Sequence, residues 1–479
     1  MRHTYLLEII SALSSEELQQ FQLFLESPYF NSGAQSSDLL NLYKIIKSTA
    51  PDFDEQKLIK EIVYQQLFPN AKHIDGKLEK LMAELNKLLR TFCVVNDAAS
   101  DIQSVQFSLK WTSWLRERGL KTRFDQSFSK LSKDVTSQKE SLSKYEMLLK
   151  LAEEKHLWET SYNYLNGNLN IPEFQRQLKL FYQIRITDLK LRSIIQQKAT
   201  KSDSLPDFNV ADNIPEEDTY LLKESILLEM THKIHQLLKE QKLKMTGVEE
   251  MMEMLEKRGE ELEFETLSLY YSHLRNFCTL LGDQGNTEIL PLLHSINKSN
   301  LEKGFFHSHG GLRFNAYLGL IQVALSTGEL EWAKKFTEEY KDNILGGDED
   351  QFYYRINKAN CLLAEKKFND CLDYIPDTAP SSFYQLFAKR IELKAYYELR
   401  SDLLPYKIDS FRKFVERTAP KSVADNLQAM NMAFAQILNQ LFQTPFKDPK
   451  RSAKLLERIE GKKIICDRNW LIEKAKELA

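Results

Sequence analysis

The chain has 479 residues, of which 42% are hydrophobic and 28% charged, and its net charge is −3. That apolar share supports a packed core rather than disorder, the length calls for two to four domains or one elongated array, and the balanced charge excludes a protein that is basic throughout for binding nucleic acid. Leucine outnumbers valine 71 to 10, with only 16 glycines and 13 prolines. Valine, branched at Cβ, suits pleated strands, whereas leucine keeps its rotamer freedom in a helix, so this imbalance predicts an all-α fold with few tight turns.

In chain order, Ser14 and Glu17 form a capping-box pattern that predicts a helix start. Leu18, Phe21, Phe24 and Leu25 lie on the apolar face of that helix, Pro28 ends it, and residues 27–33 read as a turn. Helices are expected near 37–48, 55–67 and 75–95. In the last, Leu78, Leu81, Leu85, Leu88 and Leu89 recur at the three- and four-residue spacing of an amphipathic stripe. Residues 96–100 read as a boundary, and helices resume over about 101–199, one of them beginning with Asn170 as cap and Pro172 in its first turn. The stretch 200–218, with two prolines, many small polar residues and no helical period, is the most linker-like in the chain. The organisation expected is an N-terminal helical domain over 1–97, a helical domain over 98–200, a linker at 201–216 and a helical-repeat domain over 217–479.

Cys93, Cys278, Cys361, Cys371 and Cys466 are odd in number and widely spaced, with no C-x-x-C pair. That spacing favours reduced thiols, and hence a cytoplasmic location, over a disulfide framework or zinc cage. The first residues lack the pattern of a secretory signal, and no window approaches 18 uncharged apolar residues, so no membrane partner is expected.

Three segments of the second half repeat a helix–turn–helix pattern. Leu330, Phe368 and Leu403 occupy equivalent places at the start of second helices, and Ala333, Cys371 and Tyr406 follow three residues later. With Gly328 at the first turn, residues 310–417 resemble the tetratricopeptide repeat, two helices per ~34 residues with glycine at the turn and a small residue early in the second helix. Lys366 and Ser401 stand where that family prefers glycine. Tyr317, Arg355 and Arg390 stand at its first-helix tryptophan position, and Tyr397 matches its central tyrosine. The resemblance implies a right-handed TPR-like α-solenoid whose first helices line a concave groove for a protein or peptide, with Asn315, Gln322, Tyr353, Asn357, Asn360 and Glu392 as groove positions. The N-terminal segments LSSEEL at 13–18 and LESPYFN at 25–31 are similar to the start of a group of long, uncharacterised bacterial helical proteins, which implies no activity.

The chain has no phosphate-binding, dinucleotide, metalloprotease or nucleophile-elbow motif. Two Glu-x-x-His pairs, Glu153/His156 and Glu229/His232, have the spacing of di-iron bundles. Helical phase turns them away from the leucine stripes, toward solvent, where they could not ligate inside a bundle. His307 and His309, with His294 as a third ligand, could share a metal. The simpler reading is a helix-to-helix loop in which Gly310 and Gly311 supply flexibility and Phe305 and Phe306 dock on the core. Residues 110–133 carry seven Lys and Arg against Glu117 and Asp125, and 249–265 carry eight glutamates. Such runs are ordinarily solvated helix faces. The expectation is therefore a non-catalytic scaffold or adaptor with a protein or peptide partner, no cofactor and no metal. The alternative is a nucleic-acid-associated regulator that uses the N-terminal helices and the basic 110–133 segment.

Overall fold

The computed structural model describes residues 4–53, 56–69, 74–100, 104–167, 169–200, 214–308, 311–345, 351–422, 425–462 and 464–479. The fold is all-α, with 76% of the chain helical. It divides into two compact units, 1–135 and 136–479, and the division falls inside the 98–200 segment. Most of the linker-like stretch, 201–213, lies outside the described residues.

The first unit contains α1 (Tyr5–Ser11), α2 (Ser15–Glu26), α3 (Ser36–Lys47), α4 (Lys60–Leu67), α5 (Lys77–Ser100), α6 (Val105–Glu117) and α7 (Lys121–Thr136). The capping box forms: the Glu17 amide donates to Ser14 Oγ at 3.2 Å, and the Ser14 amide donates to the Glu17 carboxylate at 2.8 Å. Leu18, Phe21, Phe24 and Leu25 of α2 join Leu78, Leu81, Leu85 and Leu89 of α5 in one core. Tyr43 of α3 closes it, its hydroxyl donating to the Leu18 carbonyl at 2.5 Å and its ring meeting Phe21 edge-on. The boundary read at 96–100 is instead the last part of α5.

The second unit contains α8 (Leu142–Tyr162), α9 (Ile171–Thr200), α10 (Leu221–Glu224), α11 (Ile226–Lys239), α12 (Met245–Arg258), α13 (Phe264–Asp283), α14 (Ile289–Glu302), α15 (Phe314–Ser326), α16 (Leu330–Tyr340), α17 (Phe352–Ala364), α18 (Phe368–Tyr374), α19 (Ser382–Glu398), α20 (Leu404–Ser422), α21 (Asp425–Gln443), α22 (Pro449–Glu460) and α23 (Arg468–Lys476). From α11 onward each helix packs on the next. The alternate helices α15, α17 and α19 also touch one another directly. Three apolar clusters follow in chain order, the first centred on α9, α11 and α13, the second on α15 to α17, the third on α19 to α23. Residues on both sides of 201–216 share the first cluster, for example Ile184 and Ile234.

The repeat resides in the turns as well as the helices. α15, α17 and α19 end alike: Glu329, Lys367 and Ser401 each donate to the carbonyl five residues back, on Ala324, Leu362 and Tyr396. Gly328, Lys366 and Arg400, one position earlier, donate to Leu325, Leu363 and Tyr397 and adopt φ of 82°, 62° and 51°. This is the Schellman termination, in which a left-handed residue lets the chain satisfy the last helical carbonyls. The third turn is centred on Arg400, not Ser401, and the following helix begins at Leu404. Fully buried Leu404 opens that helix, while Leu403 and Tyr406 are 55% and 72% exposed. The register expected for the third copy is thereby corrected. Lys366 and Arg400 hold a conformation that costs an L-residue roughly 1–2 kcal/mol and that glycine adopts freely.

Residues 307–308 and 311–313 are more than a loop. β1 (His307–Ser308) pairs antiparallel with β2 (Gly311–Arg313), which pairs in parallel with β3 (Ile344–Leu345). A Cβ on Gly311 would stand 2.8 Å from the Asn343 carbonyl oxygen, so its glycine serves close approach of two backbones. Gly310 lies outside the described residues.

Candidate functional site

The face built by α15, α17 and α19 is the expected partner surface, and its aromatic residues determine how much of it is open. Phe314 of α15 stacks on Tyr353 of α17 at 4.7 Å, and Tyr384 of α19 meets Tyr353 edge-on at 5.5 Å. These rings fill the space between successive first helices. Tyr353 and Asn357, expected in a groove, are consequently core residues with 4% and 1% exposure. The Asn357 amide donates to the Tyr353 carbonyl within its own helix. Asn315 and Gln322 are exposed and Asn360 is half-buried. Glu392 is tied to Lys407 of the paired helix at 2.7 Å. The open part of the face is therefore polar and narrow.

Behind this face lies a charge cluster that no spacing in the sequence announces. Asp467, just before α23, accepts from Arg390 Nε at 2.7 Å and from Lys394 Nζ at 2.6 Å, both on α19. Arg390 Nη1 also donates to Asn431 Oδ1 of α21 at 2.9 Å. Burial alone would raise the Asp467 pKa, but the adjacent Lys394 and Arg390 outweigh it and hold the carboxyl well below the usual carboxylate range. Lys474 of α23, 8% exposed, meets Glu398 of α19 at 2.9 Å and Glu477 at 2.8 Å. Every buried charge here has a partner, so the cluster clamps α19 to the C-terminal helices. Its members lie 73 and 77 residues apart in sequence, beyond the reach of any local pattern.

The histidine candidates are dispersed. His294 packs edge-on to Trp332 at 5.0 Å, whereas His307 lies 6.0 Å from Tyr340. Trp332 and Tyr340 are both on α16, about 12 Å apart along its axis. His309 lies outside the described residues. His156 Nδ1 bonds the Leu169 carbonyl at 2.7 Å while Glu153 is exposed. His232 is half-buried and bonds Gln236, and Glu229 pairs with Arg258. Among the described residues no group of three or more His, Cys, Asp or Glu side chains could hold a metal ion. All five cysteines are free thiols. Burial pushes Cys278 and Cys371 up to about 12, which keeps them protonated and poor nucleophiles.

The α13–α14 hairpin buries polar groups that have no hydrogen-bond partner: His273 Nδ1, Arg275 Nη1, both ring nitrogens of His294 and both amide atoms of Asn300. Burial lowers the His273 imidazole to about 4, with nearby Asp188 opposing and Arg192 and Arg275 adding to the shift. Arg275 lies over the Phe306 ring at 4.3 Å, and burial lowers its guanidinium to about 10.

The basic 110–133 segment forms most of α6 and most of α7. Thr112 and Leu115 face inward, and Thr112 Oγ1 shares a hydrogen bond with Ser127 Oγ at 2.7 Å. The flank of α6 beside them carries Phe107, Trp111 and Trp114, exposed by 42%, 48% and 40%. The two indoles stack at 5.1 Å with planes 14° apart, and the Arg118 guanidinium lies over Trp114 at 3.8 Å. The charge of this segment is visible in its composition. The aromatic stripe, which begins just before it at Phe107, shows only when 107, 111 and 114 are placed on a helix with Thr112 and Leu115 inward.

No family model, curated protein or solved structure matches this chain. Among the described residues, no helix is long and apolar enough to cross a membrane.

Proposed function

We propose that this chain is a non-catalytic, cytoplasmic helical-repeat adaptor: a right-handed TPR-like α-solenoid in its second half that holds a protein or peptide segment along α15, α17 and α19. The observation that carries this reading is the common termination of those three first helices at Gly328, Lys366 and Arg400. A repeated turn gives each helix pair a like geometry, and stacking of like pairs is how solenoids generate an extended binding face. Support also comes from the polar side chains left open on that face, Asn315, Gln322 and Asn360, which can bond a peptide backbone.

Photo-crosslinking amino acids placed at Gln322 and Asn360, with Lys335 and Glu339 of α16 as controls, test the assignment in cells. A discrete crosslinked protein from 322 and 360, missing from both controls, is the expected result. The same pattern at all four positions, or no product at any, contradicts the proposal.

A further inference from the structure

We propose that α6 and the start of α7 form a docking surface for single-stranded nucleic acid. Phe107, Trp111, Trp114 and Arg118 follow one another at i, i+4, i+7 and i+11, which places them within about 60° of one another on the helix and over about 16 Å of its length. The last three form a column: Trp111 on Trp114 at 5.1 Å, and Trp114 under the Arg118 guanidinium at 3.8 Å. Trp111 stands at the end of that column and is 48% exposed. A nucleobase extends such a stack without needing a particular sequence, because every base has a π-face.

Charge selects the occupant. Residues 105–135 hold seven Lys and Arg against three Asp and Glu, a surplus of four in a chain whose net charge is −3. Lys110 on α6 and Lys121, Arg123 and Lys130 on α7 are exposed and can meet phosphates. A bilayer would need a broad apolar face, but Arg118 closes one end of this one and Lys110 and Glu117 edge it. A helix from another protein would pack best on aliphatic knobs, and the stripe on α6 contains none. The surface lies on residues other than those of the proposed peptide face, so the two proposals stand or fall separately.

The full chain, titrated at low salt against fluorescein-labelled 20-mers of dT and of U, tests the proposal by anisotropy, with phosphatidylserine vesicles as a parallel arm. Binding to one or both oligonucleotides is expected, weakening as salt rises and weakening about tenfold or more in the Trp111→Ala/Trp114→Ala variant. Comparison of the dT and U arms identifies DNA or RNA as the stronger ligand. Both indoles are exposed, so the variant keeps its core, and its circular dichroism is expected to match that of the parent. Absence of oligonucleotide binding at low salt, binding unchanged in the double variant, or binding to vesicles alone would each overturn it.

Discussion

The α13–α14 hairpin and the α19–α23 bundle both bury polar side chains, and they treat them in opposite ways. In the hairpin, His273, His294 and Asn300 leave side-chain atoms without hydrogen-bond partners. In the bundle, Asp467 is shared by Arg390 and Lys394, and Lys474 is met by Glu398 and Glu477. An unpaired buried polar group destabilises the fold by the water it gave up. A paired one becomes indispensable once its partner is buried with it. Substitutions in the two regions should therefore move stability in opposite directions, although both regions are packed helices around an apolar cluster.

The largest effect is expected at Asp467. Asp467→Asn keeps the shape and suits the left-handed φ of 52°, yet leaves two buried cations without their anion. A loss of about 3–5 kcal/mol is expected by chemical denaturation, and a change below about 1 kcal/mol would show that water already reaches the cluster.

Acid should separate the regions next. His273 is neutral when folded, with its pKa lowered to about 4 by burial, whereas the unfolded chain takes up a proton near pH 6.5. The unfolded state thus binds more protons as pH falls, and stability is lost between about 6.5 and 4, by roughly 3 kcal/mol in all. Asp467 behaves otherwise. Its depressed carboxyl pKa keeps its contribution intact until the pH falls below the ordinary carboxylate range. Urea unfolding of the parent and of His273→Gln at pH 7, 5.5 and 4.5 reads this out. The difference between the two curves should shift by most of that amount toward the variant, and parallel curves would show that His273 is not the acid-sensitive group.

The smallest effect has the opposite sign. Asn300 is fully buried with both amide atoms unpartnered, so Asn300→Leu removes a desolvated group and strands nothing. A gain of about 1–2 kcal/mol and a higher Tm are expected. A loss instead would place an ordered water on that amide and erase the contrast with the bundle.

Local physics made much of the fold legible. The capping box at Ser14 and Glu17 and the leucine stripe of α5 were readable because their causes lie within a few residues. So was the start of second helices at Leu330 and Phe368. The third turn was misplaced by one residue because left-handed Arg400 has no composition signal, unlike Gly328. Tyr353 and Asn357 were expected in a groove, but whether a first-helix position is open depends on Phe314 and Tyr384 in neighbouring pairs. The small sheet was missed because a two-residue strand carries no periodicity. Gly311 marks it only through the backbone of Asn343.

The sequence by itself determined that this protein is all-α, where several helices begin, and which faces those helices bury, since leucine spacing and end caps act within one helix. Only the tertiary structure decided which buried charges meet, which aromatics close the space between first helices, and that Trp111 and Trp114 are left on the surface. Those outcomes depend on side chains brought together from helices tens of residues apart, and burial, which sets their energies, is a property of the packed chain rather than of any segment.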